Sequence, residues 1–201
     1  TPKSGNGIHS WSGRFHTIER NTISGHRDGI YLEFTGDTTV SGNAVSKNLR
    51  YGLHFMTSHR NLYQHNRFTE NGAGVAVMYS RNVRMIENDF EDNIGTAAYG
   101  LLLKDISSGD IRGNTFRKNT FGIYMEGTNR SLFEGNSFSD NGYALRVLGD
   151  CDDNRFTHNN FLQNTFDVST NSSRNPNSFK ENYWGHYDGY DMNKDSIGDV
   201  P

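Results

Sequence analysis

Three side chains are chemically conspicuous: His54, Met56 and Met78. His54 and Met56 are two residues apart. On a β-strand that spacing puts both on one face, about 7 Å apart. Thioether and imidazole together form a soft, neutral donor set that suits Cu(I) and suits calcium or magnesium poorly. Met78 joins them only if the chain returns to the same place 22 residues later. His9 is a fourth candidate, farther off. The alternative is an apolar patch covered by a neighbouring loop or protein. A second candidate lies in the tail. Asp191, Asn193, Asp195 and Asp199 supply oxygen donors at short intervals beside a Gly, as a calcium loop does. The bidentate Glu that closes the twelve-residue calcium loop is absent, and a polar turn held by Asx hydrogen bonds is the alternative.

The elements that must position these residues are legible as a repeat. Aligned on Asn-x-apolar, the anchors are Asn21, Asn43, Asn66, Asn88, Asn114, Asn136, Asn159 and Asn182, at steps of 22, 23, 22, 26, 22, 23 and 23. Two residues after each anchor, and three before it, every position is apolar. Five residues after it a second Asn recurs, at Asn48, Asn71, Asn93, Asn119, Asn141 and Asn164. These asparagines are expected to take the left-handed backbone of a sharp corner and to hydrogen-bond along a stack. A Gly follows, then a short strand with period-two alternation. No segment has a helical period, which excludes leucine-rich and ankyrin solenoids. The expected fold is all-β: a right-handed parallel β-helix of about eight rungs of 22–26 residues. Residues 1–185 form the helix and 186–201 an aromatic, acidic cap, with Tyr183, Trp184, Tyr187 and Tyr190 over the last rung. Thr1–Asn6 is too short to cap the first rung, so a fragment of a longer chain is expected. The four-residue excess of the 26-residue step falls in Ile94–Tyr99 and should bulge.

Columns then sort the side chains. One outward column holds His9, Tyr31, His54, Ala76, Leu102, Tyr124 and Arg146. The next holds Trp11, Glu33, Met56, Met78, Lys104, Glu126 and Leu148. Met56 and Met78 therefore stand about 4.8 Å apart on adjacent rungs, and His9 roughly 10 Å from His54. Met85 and Met125 fall in core columns. His16, His26, His59, His65 and His158 fall at corners, where a solvated role is expected, and Cys151 has no assigned role.

The chain has 201 residues, 33 % hydrophobic, with a formal net charge of −3. The charge shows no basic nucleic-acid footprint, and no apolar run is long enough to span a membrane. One cysteine permits no internal disulfide. Many β-helices process polysaccharides, so an enzyme is the rival class. Glycoside hydrolysis needs two nearby carboxylates, whereas Glu33 and Glu126 lie four rungs, about 19 Å, apart. Lys104 and Glu126 are expected to form an exposed ion pair. Tyr31, Tyr124 and Trp11 remain candidates for stacking on sugars in a noncatalytic carbohydrate binder.

The stretches Gly5-Asn-Gly-Ile-His9, Arg27-Asp-Gly-Ile-Tyr31, Arg50-Tyr-Gly-Leu-His-Phe-Met56, Gly74-Val-Ala-Val-Met-Tyr-Ser80 and Tyr99-Gly-Leu-Leu-Leu-Lys-Asp105 resemble successive rungs of the NosD family. The ending Asn182-Tyr-Trp-Gly-His-Tyr-Asp-Gly-Tyr-Asp191, continuing to Ile197-Gly-Asp-Val-Pro201, is similar to the segment that closes its β-helix. The resemblance implies a non-enzymatic periplasmic protein that delivers copper during maturation of nitrous oxide reductase. It implies as partners the reductase, the ATPase and membrane subunits of an ABC transporter, and a copper-chaperone lipoprotein.

Overall fold

The computed structural model describes residues 5–189 and Met192. The described strands wind into a parallel β-helix of eight turns with no α-helix. Each turn contributes one strand to each of three eight-stranded parallel sheets. The first sheet carries the longest strands, Ile8–Trp11, Asp28–Glu33, Tyr51–Met56, Ala73–Met78, Tyr99–Lys104, Phe121–Glu126, Tyr143–Val147 and Phe166–Thr170. The other two sheets are built of short strands, nearly all of three residues, such as Arg84–Ile86 and Asp89–Glu91. Strand pairing reproduces the expected columns: His9, Tyr31, His54, Ala76 and Leu102 are register partners in succession, as are Glu33, Met56, Met78, Lys104 and Glu126. The excess residues of the long step lie in the 92–98 connection, where Ile94 is exposed.

Hydrophobic residues at fixed positions of the turn stack along the axis. Phe68, Phe90, Phe116, Phe138, Phe161 and Trp184 form one column, with ring centroids 4.4–5.5 Å apart. Such pairs contribute about 0.5–1.5 kcal/mol each beyond the area they bury. Trp184 closes this column, while Tyr183 points to solvent; Tyr190 lies outside the described residues. Met85 and Met125 are fully buried in the core, as their columns imply. The Gly column has a steric cause. A Cβ on Gly52 would sit 2.7 Å from the carbonyl oxygen of Gly74, and one on Gly122 would sit 2.6 Å from that of Ala144.

The corner asparagines correct one expectation. The left-handed residues are Lys47, Glu70, Asp92, Lys118, Asp140 and Gln163, each immediately before the asparagine. The asparagine itself turns inward and is buried. The division is physical: the exposed residue absorbs the bend, which frees the amide to enter the interior. There each amide does several jobs. Asn114 Oδ1 accepts from the backbone N–H and the Nδ2 of Asn88, and its own Nδ2 donates to the Met85 carbonyl and to Asn136 Oδ1. The same pattern runs through both asparagine columns. A third stack, Thr35, Ser58 and Ser80, was not read from the sequence.

Removing one ladder amide strands several buried groups. Each costs about 1–3 kcal/mol unsatisfied. Asn114→Ala should therefore lose more than ~3 kcal/mol in urea denaturation. Lys118→Asn, exposed and in a conformation asparagine tolerates, should change stability by less than ~0.5 kcal/mol. Equal losses in the two variants would remove the ladder as the stabilising element.

Candidate metal centre

The outer face of the first sheet carries the candidate residues. His54 comes from strand Tyr51–Met56, flanked in register by Tyr31 and Ala76. It points away from the core and yet is only 5 % exposed, which corrects the expectation that outward means open. The cover is aromatic. Tyr31 stacks on the imidazole at 4.7 Å and Tyr51 packs against it at 5.0 Å, tilted by 47°. Ala76 and Leu102, next along the column, are buried too.

Polar contacts reach the ring from one side. Asp28, fully buried, begins the preceding long strand and is the register partner of Tyr51. Its carboxylate receives two hydrogen bonds from the Arg50 guanidinium, one of them Nε to Oδ1 at 2.8 Å, and one from the Tyr51 backbone N–H at 3.3 Å. Arg50 also lies over the Tyr51 ring at 4.8 Å. His54 Nδ1 faces this ion pair, 3.3 Å from Arg50 Nη2 and 3.8 Å from Asp28 Oδ2. Burial alone would raise the Asp28 carboxyl pKa. The hydrogen bonds and charge of Arg50 and the Tyr51 N–H outweigh it and hold the group well below the usual carboxylate range. The other ring nitrogen, His54 Nε2, is buried and has no hydrogen-bond partner.

Met56 and Met78 are half-buried register partners, two residues beyond the His54 column. The Tyr31 hydroxyl donates to Met56 Sδ at 3.9 Å. His9 is not brought to His54. The Tyr31 ring fills the interval and stacks on His9 at 4.9 Å with its other face. Both faces of Tyr31 are thus taken, which removes it as a platform for a sugar ring. Tyr124 meets Tyr99 and Phe121 edge-on. Glu33 and Glu126 are separated in their column by Met56, Met78 and Lys104, and Lys104 bonds to Glu126 at 2.8 Å.

The corner histidines and Cys151 sit apart from this face. His65 faces Glu87, and His158 faces Glu134 and Glu181, all at exposed positions. His59 is held below its ordinary pKa by partial burial and by Arg81 and Arg60. Cys151 is buried, and burial raises its thiol pKa to about 11, far from a reactive thiolate. Asp191, Asn193, Asp195 and Asp199 lie outside the described residues. The sequence reading missed Asp28, Arg50 and Tyr51. One signal was available: the residue before the repeated Gly is aromatic at Tyr51, Tyr99 and Phe121, and Asp28 is the acid in that column.

These residues fit a soft ion. The face offers one buried imidazole nitrogen with no partner and, two residues along the strands, two thioethers in adjacent registers. Of its carboxylates, Asp28 is already paired with Arg50, and Glu33 is the register partner of Met56.

The profile of a family described as periplasmic copper-binding protein (NosD) matches residues 1–190. A curated relative from Pseudomonas aeruginosa, named probable ABC transporter binding protein NosD, is 33 % identical over 119 residues, covering 51 % of this chain and 28 % of the relative. One of the same name from Stutzerimonas stutzeri is 29 % identical over 143 residues, covering 62 % and 32 %. The chain thus spans about a third of the length of these relatives. Among solved structures, the periplasmic alginate epimerase AlgG superposes with a TM-score of 0.68 at 19 % identity, over 77 % of this chain and 39 % of that one. The A-module of the Azotobacter vinelandii mannuronan C-5 epimerase AlgE4 does so with 0.64 at 17 %, over 85 % and 60 %. At such identity these likenesses show the fold alone.

The Asp28 pair carries a pH signature. A depressed carboxyl pKa contributes stability that is complete above the unfolded value of about 3.9 and is lost as pH falls towards the folded value. Between pH 7 and pH 3 the melting temperature of the parent chain should fall more steeply than that of Asp28→Asn, which starts lower at pH 7. Parallel pH profiles would mean that Asp28 is not held as described.

Proposed function

The chain belongs to the NosD family of periplasmic copper-binding proteins, and we propose that it holds Cu(I) reversibly on the outer face of its first sheet, with His54, Met56 and Met78 as donors. Copper is cargo here, not a resident cofactor. One observation carries the assignment: a buried imidazole nitrogen without a partner, on the same face as two thioethers that the register pairs two residues away. A neutral nitrogen and two neutral sulfurs bind a soft monovalent ion without charge neutralisation. That favours holding the ion loosely enough to release it by ligand exchange. His9 stays outside the donor set, because Tyr31 stands between the two rings.

The protein acts in the periplasm and is not an enzyme. It passes copper towards nitrous oxide reductase, with a copper-chaperone lipoprotein as donor and an ABC transporter, ATPase plus membrane subunit, as the associated machine. The names of the two curated relatives support the transporter association. The polysaccharide reading rests on fold likeness alone, and the stacked faces of Tyr31 weigh against it.

Anaerobic Cu(I) titration against a competing chelator tests the site. Met56→Leu combined with Met78→Leu should weaken binding by at least tenfold, and His54→Ala likewise. Unchanged affinity in both would sink the assignment. A panel of oligosaccharides titrated into the same sample should give no binding; a tight oligosaccharide with no copper affinity would reverse the functional class.

A further inference from the structure

A buried carboxylate on the outer face of a β-helix, held by a half-exposed arginine, needs a reason. The fold does not require it, since the other described positions in the Asp28 column are filled by Tyr51, Ala73, Tyr99, Phe121, Tyr143 and Phe166. Asp28 is fully buried, and its charge is compensated by Arg50 and a backbone N–H. Such pairs seldom stabilise more than apolar residues of similar size would. What this pair does have is a geometric relation to His54. It presents both a donor and an acceptor to the same ring nitrogen, Arg50 Nη2 at 3.3 Å and Asp28 Oδ2 at 3.8 Å from Nδ1.

We propose that Asp28 and Arg50 are positioning residues that hold the His54 ring by Nδ1 in either neutral tautomer, so that Nε2 alternates between a protonated, closed state and a bare, donating one. The inference rests on the copper reading above and adds the device that loads and releases the site.

The chemistry follows from what each group can offer. A guanidinium has no lone pair to accept with. When Arg50 is the nearer partner, Nδ1 must accept and the ring proton sits on Nε2. That N–H is the buried group without a partner. When a soft ion takes the Nε2 lone pair, the proton on Nε2 leaves to solvent and another arrives at Nδ1. The ring stays neutral and loading releases no net proton. Nδ1–H then needs an acceptor, and Asp28 Oδ2 is next to it. A carboxylate behind a metal-bound histidine orients the ring and raises its basicity. Here the same pair also serves the empty state. In the metal-free state Tyr31 stacks on the ring at 4.7 Å.

The side-chain 15N shifts of His54 read the tautomer directly. In the metal-free parent chain they should report a proton on Nε2, and after addition of Cu(I) a proton on Nδ1. The two positioning residues should then act in opposite senses, which a merely structural role would not produce. Arg50→Met removes the donor and should shift the metal-free ring towards Nδ1–H, tightening Cu(I) because the ring no longer has to change tautomer. Asp28→Asn should keep Nε2–H in the metal-free state and weaken Cu(I) about ten- to a hundredfold. A metal-free parent ring protonated on Nδ1, or one whose tautomer ignores Arg50→Met, overturns the proposal whatever copper does. So does a Cu(I)-loaded ring that keeps Nε2–H. If Cu(I) fails to bind while the metal-free tautomer shifts in Arg50→Met and holds in Asp28→Asn, the positioning role of Arg50 stands and the copper reading falls. Should a variant fail to fold, the two parent spectra still decide.

Discussion

Every turn of this molecule has to present its successor with hydrogen-bonding groups at one fixed spacing. The inter-strand distance of about 4.8 Å sets that spacing for the sheets. The corners are harder, because there the chain bends and its peptide groups face a thin, apolar interior. Inward-turned asparagines solve this. Asn66 takes two donors from Asn43 on its Oδ1 and gives its Nδ2 to the Val40 carbonyl and to Asn88. A carboxamide both donates and accepts, so it can be repeated at every turn without reversing polarity, as an aspartate or a lysine could not. The exposed residue before it carries the left-handed backbone.

Such a ladder tolerates no slip. A shift of one residue would take the amides out of the interior and turn the stacked phenylalanines outward. The lattice of the outer face follows from this. Side chains there stand on a grid of about 4.8 Å between turns and about 7 Å along a strand, whatever their identity. Met56 beside Met78, and His54 two residues before Met56, are consequences of that grid. The fold thereby separates stability from chemistry. Buried columns hold the rod together, and outer columns vary.

Likeness to alginate epimerases at under a fifth identity fits this separation. One scaffold can present carboxylates to a sugar or thioethers to a metal, so function has to be argued from the outer columns and not from the rod. On this chain those columns hold soft donors and paired charges in their middle turns. The acid beside His54, Asp28, is buried and bound to Arg50.

The amino-acid sequence by itself determined the architecture. Spacing of Asn21 through Asn182 set the number of turns, and the apolar columns set which side chains face in. It determined the neighbours too, because a repeat read in columns is a register, and the observed pairing of Met56 with Met78 and of Tyr31 with His54 follows from it. Only the tertiary structure decided what those neighbours do. A column assigns a side and a spacing, not a ring angle or a covering. That Tyr31 lies flat between His9 and His54, that Tyr51 leans over a residue pointing outward, and that Arg50 turns back to Asp28 depend on side-chain torsions which a repeat leaves free. The burial of His54, and the nitrogen left without a partner, come from those torsions.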